Sequence, residues 1–216
     1  MLAWGFVYMN YEAALINVAL LWLLTTPHEF AHAWVATKLG DDTPRLQGRV
    51  TLNPLAHVDW IGTVLLPAVT SLSGAGFLGW GKPVNTNPSK LRGGLNGMAI
   101  VALAGPASNV VFAVVLAAVA AATVHANVAV ANFAAQGVML SLYLALFNLI
   151  PVPPLDGSKL LLAARFPVQI YSMVARYGFL LLILMMAYTH VGYTLSDWST
   201  EAARTMLGWF QPSGVL

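Results

Sequence analysis

From Gly93 to Leu155 the chain carries no Asp, Glu, Lys or Arg. A run that long without formal charge leaves few folds open. A helix needs about 20 mostly apolar residues to cross a bilayer, and two such lengths fit here. One is 96–122, NGMAIVALAGPASNVVFAVVLAAVAAA, and the other is 132–152, NFAAQGVMLSLYLALFNLIPV. Two further segments qualify, about 12–39, stopping at Gly40, and about 170–192. Of the 216 residues 58% are hydrophobic and 8% charged, whereas a soluble domain carries about 25% charged residues. The expectation is an all-α integral membrane protein with about four transmembrane helices, forming a single domain over 1–216.

Residues 60–81, WIGTVLLPAVTSLSGAGFLGWG, fit that pattern poorly, because Pro67 and then glycines at 74, 76, 79 and 81 interrupt them. Irregular backbone at membrane depth survives only where protein or a water-filled cavity covers it. A short helix followed by a re-entrant or β-like membrane-associated loop is expected over about 60–88. Lys38, Arg45 and Arg49 follow the first span, Lys82, Lys90 and Arg92 precede the second, and Lys159, Arg165 and Arg176 cluster after the third. The excess of Lys and Arg marks these as cytoplasmic, with both termini outside. Both flanks of 60–81 then share a side, which favours a re-entrant element. The N-terminal MLAWGFVYMNYE lacks the basic region of a secretory signal, so the first span is expected to be retained. Residues 197–216 could form an interfacial helix with Met206, Leu207, Trp209 and Phe210 on lipid, or equally a frayed terminus.

A net charge of +2 implies no nucleic-acid partner. With no cysteine, thiolate zinc sites and Fe–S clusters are excluded, and any metal must sit on His, Asp or Glu. Candidates stand in the first span, as His28-Glu29-Phe30-Ala31-His32. Residues four apart share a helix face, so both histidines can reach one ion. Glu29 lies about 100° round the helix, placed to act on water as a general base. Ionisable groups inside a membrane helix cost about 2.5–3.5 kcal/mol each on insertion scales and usually face a cavity.

A catalytic zinc takes three protein ligands and keeps one position open. Asp156 is the only acid between Asp59 and Asp197. It follows FNLIPVPPL, whose prolines at 151, 153 and 154 cannot continue a helix. A carboxylate beside that break can meet a metal on the first span. It can equally be an interfacial helix cap.

His28-Glu29-x-x-His32 together with Asn148-x-x-Pro151 and Leu155-Asp156-Gly157 resembles the site-2 proteases, the intramembrane zinc metalloproteases. The stretches 40–59, 79–88 and 102–109 are similar to those of small prokaryotic members, and no room is evident for a PDZ or CBS domain. The resemblance implies one Zn2+ on His28, His32 and Asp156, with Glu29 as base and Asn148 positioning substrate or stabilising the oxyanion. It implies substrates that are membrane proteins with a transmembrane helix, cut within the bilayer; the Lys and Arg distribution puts the opening of the site on the cytoplasmic side of the cell membrane. The loop bearing Gly79 and Trp80 could receive an unwound substrate as an added strand, or be a plain turn. His57 reads as a group supporting or gating the site, or as a solvated loop histidine. Asn109 could line the site. The alternative function is a metal or proton transporter using the same cluster, although one proline break and no repeat is less than that class requires. An inactive scaffold is disfavoured by the intact Glu29.

Overall fold

The computed structural model describes residues 11–72 and 79–210. Four long apolar helices can cross a membrane: α1 (Tyr11–Lys38), α4 (Leu95–Thr123), α5 (Val128–Asn148) and α7 (Val168–Tyr188). Between α1 and α4 lie the short α2 (Thr43–Leu46), a 3-10 turn (Pro54–His57), a π-helical turn (Trp60–Leu65) and α3 (Leu66–Leu72). Then α6 (Gly157–Ala163) precedes α7, and α8 (Val191–Gly208) closes the fold. No strand occurs among the described residues. All four spans therefore stand where the hydropathy placed them, with ends shifted by a few residues.

Lipid is as apolar as leucine, so burial against lipid does not hold such helices together. Close packing of small residues and interhelical hydrogen bonds do. Leu20, Leu21 and Leu24 of α1 are buried against Ala113, Ala117 and Ala120 of α4 and Ala134 and Val138 of α5. Gly137 admits the Leu20 and Leu116 side chains to α5. Among the polar links that cross the bundle, Gln136 Nε2 donates to Asn17 Oδ1 at 3.0 Å, and Ser141 Oγ to the Asn109 carbonyl at 2.8 Å. Each contributes about 0.6–2 kcal/mol.

The segment over 60–88 begins as expected, with the helical stretch Trp60–Leu72. Asp59 caps its start, Oδ1 accepting from Ile61 N and Gly62 N. Residues 73–78, with Gly74 and Gly76, lie outside the described residues. From Gly79 to Asn87 the chain has no regular structure but is tied at every second residue: Trp80 N–H to the Gly62 carbonyl (2.9 Å) and Lys82 N–H to the His57 carbonyl (2.9 Å). The Trp80 carbonyl also accepts from Thr63 Oγ1 at 2.9 Å.

The C-terminal segment differs from the lipid-lying tail expected over 197–216. α8 starts at Val191 and buries Leu195, Ser199, Ala203 and Met206, one stripe at helical spacing, with Ala203 and Met206 joining the core between α4 and α5. Met206 therefore packs on protein rather than lipid, while Trp209 stays 67% exposed. Residues 211–216 lie outside the described residues.

Candidate metal centre

His28 and His32 lie on the buried face of α1, and Asp156 stands between the broken end of α5 and the start of α6. Their ligand atoms converge. His28 Nε2 is 3.2 Å and His32 Nε2 3.1 Å from Asp156 Oδ2, and the two nitrogens are 3.1 Å apart. All three residues are buried, and among the described residues they form the one group of three or more that could hold a metal ion.

Hydrogen bonds between neutral rings explain this triangle poorly. His32 Nδ1 is 2.7 Å from the Val101 carbonyl, which can only accept, so Nδ1 carries the proton. In a neutral ring the Nε2 lone pair then points at a carboxylate oxygen and at a second imidazole nitrogen. A cation between them removes the repulsion. Zinc bonds of about 2.0–2.1 Å put tetrahedral donors about 3.3–3.4 Å apart, close to the observed edges. The donor set, two imidazoles and a carboxylate, is also one that catalytic zinc uses.

Neighbouring groups fit the same occupant. On α4, a Cβ added at Gly105 would fall 2.3 Å from His32 Nε2 and 2.6 Å from His28 Nε2. Only glycine leaves that space free. The Val101 carbonyl orients His32 from outside the ligand set, as such centres require. Asp156 occupies the cap position of α6 but makes no capping bond. Its Oδ2 faces the histidines, and its Oδ1 accepts from Lys159 Nζ at 2.8 Å. The helix-cap alternative therefore does not describe this carboxylate.

Glu29, 8% exposed, turns to the irregular segment, where its Oε2 accepts from Val84 N–H at 3.1 Å. Gly81 packs beside it, its missing Cβ 3.2 Å from Thr25 Cβ and 3.5 Å from Glu29 Cγ. Asn148 ends α5 with its amide Nδ2 bonded back to the Leu144 carbonyl at 2.9 Å rather than to the triangle. Gly79 and Trp80 sit against the π-helical turn and α1, with Gly79 on Leu21 and Pro67 and the Trp80 indole over Gly62 and edge-on to Phe179 of α7. Asn109, one turn along α4 from Gly105, is 1% exposed, and neither amide atom has a partner among the described residues. The same holds for His28 Nδ1.

His57 is not a solvated loop histidine, because it is fully buried. Its Nε2 donates to the Thr51 carbonyl at 2.8 Å. Burial pushes the imidazole below its usual range against the pull of that hydrogen bond, and the Arg49 charge adds to the depression. Sequence reasoning treated Arg49 only as a topological charge and assigned Gly105 no part in the site. Nothing in a lone arginine or glycine signals more. The Val84 and Val101 contributions come from backbone and leave no side-chain signal at all.

Two imidazoles, a carboxylate and an adjacent glutamate, set among four candidate spans, define the class as a membrane-bound metallohydrolase. Residues 120–185 match the profile of peptidase family M50. "Putative zinc metalloprotease YwhC" of Bacillus subtilis is 36% identical over 164 residues, which cover 71% of this chain and 72% of the relative. "Putative zinc metalloprotease Rip2" of Mycolicibacterium smegmatis is 33% identical over 158 residues, 69% of this chain and 57% of the relative. Its Mycobacterium tuberculosis counterpart is 28% identical over 201 residues, 88% of this chain and 72% of the relative. No solved structure matches the chain. The chain belongs to peptidase family M50, the site-2 protease family, and its class is zinc metalloprotease.

Proposed function

We propose that the protein is an intramembrane endopeptidase that cuts transmembrane segments of other membrane proteins, using one zinc ion per chain. The observation that carries this reading is the ligand triangle on α1, with Glu29 beside it, inside a helix apolar enough to span a bilayer. His28, His32 and Asp156 would hold the ion, which when bound supplies Lewis acidity that acidifies water and polarises a peptide carbonyl. Glu29 takes the proton of the attacking water and hands it to the leaving amine. The Val84 N–H holds that carboxylate in place. Asn148 is assigned to the substrate side, which requires its amide to release the Leu144 carbonyl.

His32 precedes the helix end at Lys38 by six residues, about 9 Å of depth. The Lys and Arg residues flanking the spans favour access from the cytoplasmic side. A substrate helix must unwind before its peptide bonds are open to attack. The segment 79–84 suits an unwound strand: Trp80, Lys82 and Val84 bond inward, while the Gly81 amide and carbonyl have no partner among the described residues. A chain paired there, beside Gly79 and Trp80, would run past Glu29. The buried, unpartnered amide of Asn109 supports a polar lining near the ligands.

The test is purified protein in detergent, assayed for bound zinc and for cleavage of a panel of single-span substrates. About one zinc per chain and cleavage are expected, with cleavage abolished and zinc retained in Glu29→Gln. Cleavage that survives Glu29→Gln would falsify the mechanism.

A further inference from the structure

Arg49 is a charged residue with no place in the reaction described so far, yet it is only 5% exposed. A buried guanidinium is unfavourable unless its donors and charge are met. Its Nη2 donates to the Lys82 carbonyl and lies 3.5 Å from His57 Nδ1. Because His57 Nε2 carries the proton given to Thr51, Nδ1 presents a lone pair to the arginine. The His57 carbonyl meanwhile takes the Lys82 N–H at 2.9 Å. Lys82 is thus held at both its amide and its carbonyl by two buried residues. Two positions on, Val84 N–H reaches Glu29 Oε2. Gly81, just before Lys82, lies in contact distance of both sides, 3.5 Å from the His57 carbonyl and 3.5 Å from Glu29 Cγ when a Cβ is added.

We propose that Arg49 is a positioning residue for Glu29: braced by His57, it grips the Lys82 carbonyl so that the Val84 N–H fixes the carboxylate. The role rests on Glu29 acting as the general base. The segment 80–84 then has two edges with separate duties. Its inner edge is locked by Arg49, His57 and the π-helical turn. Its Gly81 groups remain free on the other.

The experiment compares Arg49→Gln, Arg49→Lys and, as a surface control, Arg45→Gln in the full chain. Steady-state cleavage, zinc content and amide hydrogen exchange over 79–84 are read together. In Arg49→Gln, kcat should fall at least about tenfold with KM within about threefold and zinc unchanged. The Lys82 and Val84 amides should exchange at least about tenfold faster. Arg49→Lys keeps the charge and a donor to Lys82, so it should recover much of both losses. Arg45, paired with Asp42 on the surface, should change nothing when replaced. An unchanged kcat in Arg49→Gln, a loss carried by KM alone, or parental exchange at Val84 overturns the assignment. If Arg49→Gln does not fold, Arg49→Lys decides: slower turnover together with faster Val84 exchange supports the clamp, and slower turnover with parental exchange overturns it. A wild type that cleaves no substrate removes the protease reading, while the exchange data still decide whether Arg49 holds Val84.

Discussion

Gly105 and His32, on different helices, are placed so that a Cβ on the first would lie 2.3 Å from Nε2 of the second. The contact ties helix packing to the candidate centre, because α1 and α4 approach closely where the two histidines are. A side chain at position 105 must either push the imidazoles off the triangle or part the helices.

Gly105→Ala is therefore expected to weaken zinc binding by about 10–100-fold, the range for groups just outside a metal's ligand set. Competition against a chelator of known affinity measures it. Zinc affinity equal to the parent would show that α1 and α4 yield without disturbing the histidines.

Asp156 divides its two oxygens, Oδ2 to the histidines and Oδ1 to Lys159. Asp156→Asn removes the anionic donor and should cost more zinc affinity than any neighbouring change. Lys159→Met removes only the orienting partner, so a loss of about tenfold is expected. The same titration ranks the two variants, and an Asp156→Asn protein that binds zinc as tightly as the parent would remove the third ligand.

Asp41, just past the end of α1, is fully buried, with Oδ1 accepting from Thr43 N–H and Oδ2 from Asn87 N–H at 2.6 Å. Burial alone would raise its pKa, but those bonds outweigh burial and hold the carboxyl below its usual range. A depressed carboxyl stabilises the fold above its unfolded pKa of about 3.9, and the gain is lost as pH falls through the lower folded value. Asp41→Asn should cost about 1–3 kcal/mol at neutral pH. The gap from the parent should close in acid. Thermal unfolding in detergent across pH reads this, and a gap that does not change with pH would contradict it.

Met206 separates two placements of the last helix. On lipid, Met206→Ala would be nearly silent. Packed between α4 and α5, it should destabilise by about 2 kcal/mol or more through the cavity it leaves. Trp198→Ala, at a 61% exposed site on the same helix, serves as the comparison. Equal unfolding temperatures for the two variants would return α8 to the membrane surface.

The spans were legible because lipid permits only one regular answer to a long charge-free run. The candidate cluster was legible because His28, Glu29, His32 and Asp156 are rare residues in an apolar chain. What escaped was relational. Met206 belongs to a short stretch whose apolar stripe suits lipid or protein equally, so periodicity could not choose between them. His57 looked solvated because its partners, Thr51, Arg49 and Lys82, are assembled by folding. Val101 acts through a carbonyl every residue possesses.

Two of the three converging atoms are made early, on α1, and the third lies 124 residues after His32. A ribosome that has delivered only the first helices has made a peptide with histidines and a glutamate but no closed triangle. The cluster cannot form until the proline-broken turn after α5 has entered the bilayer and docked. Synthesis order thus fixes assembly order: a half-built chain lacks the carboxylate that completes the cluster.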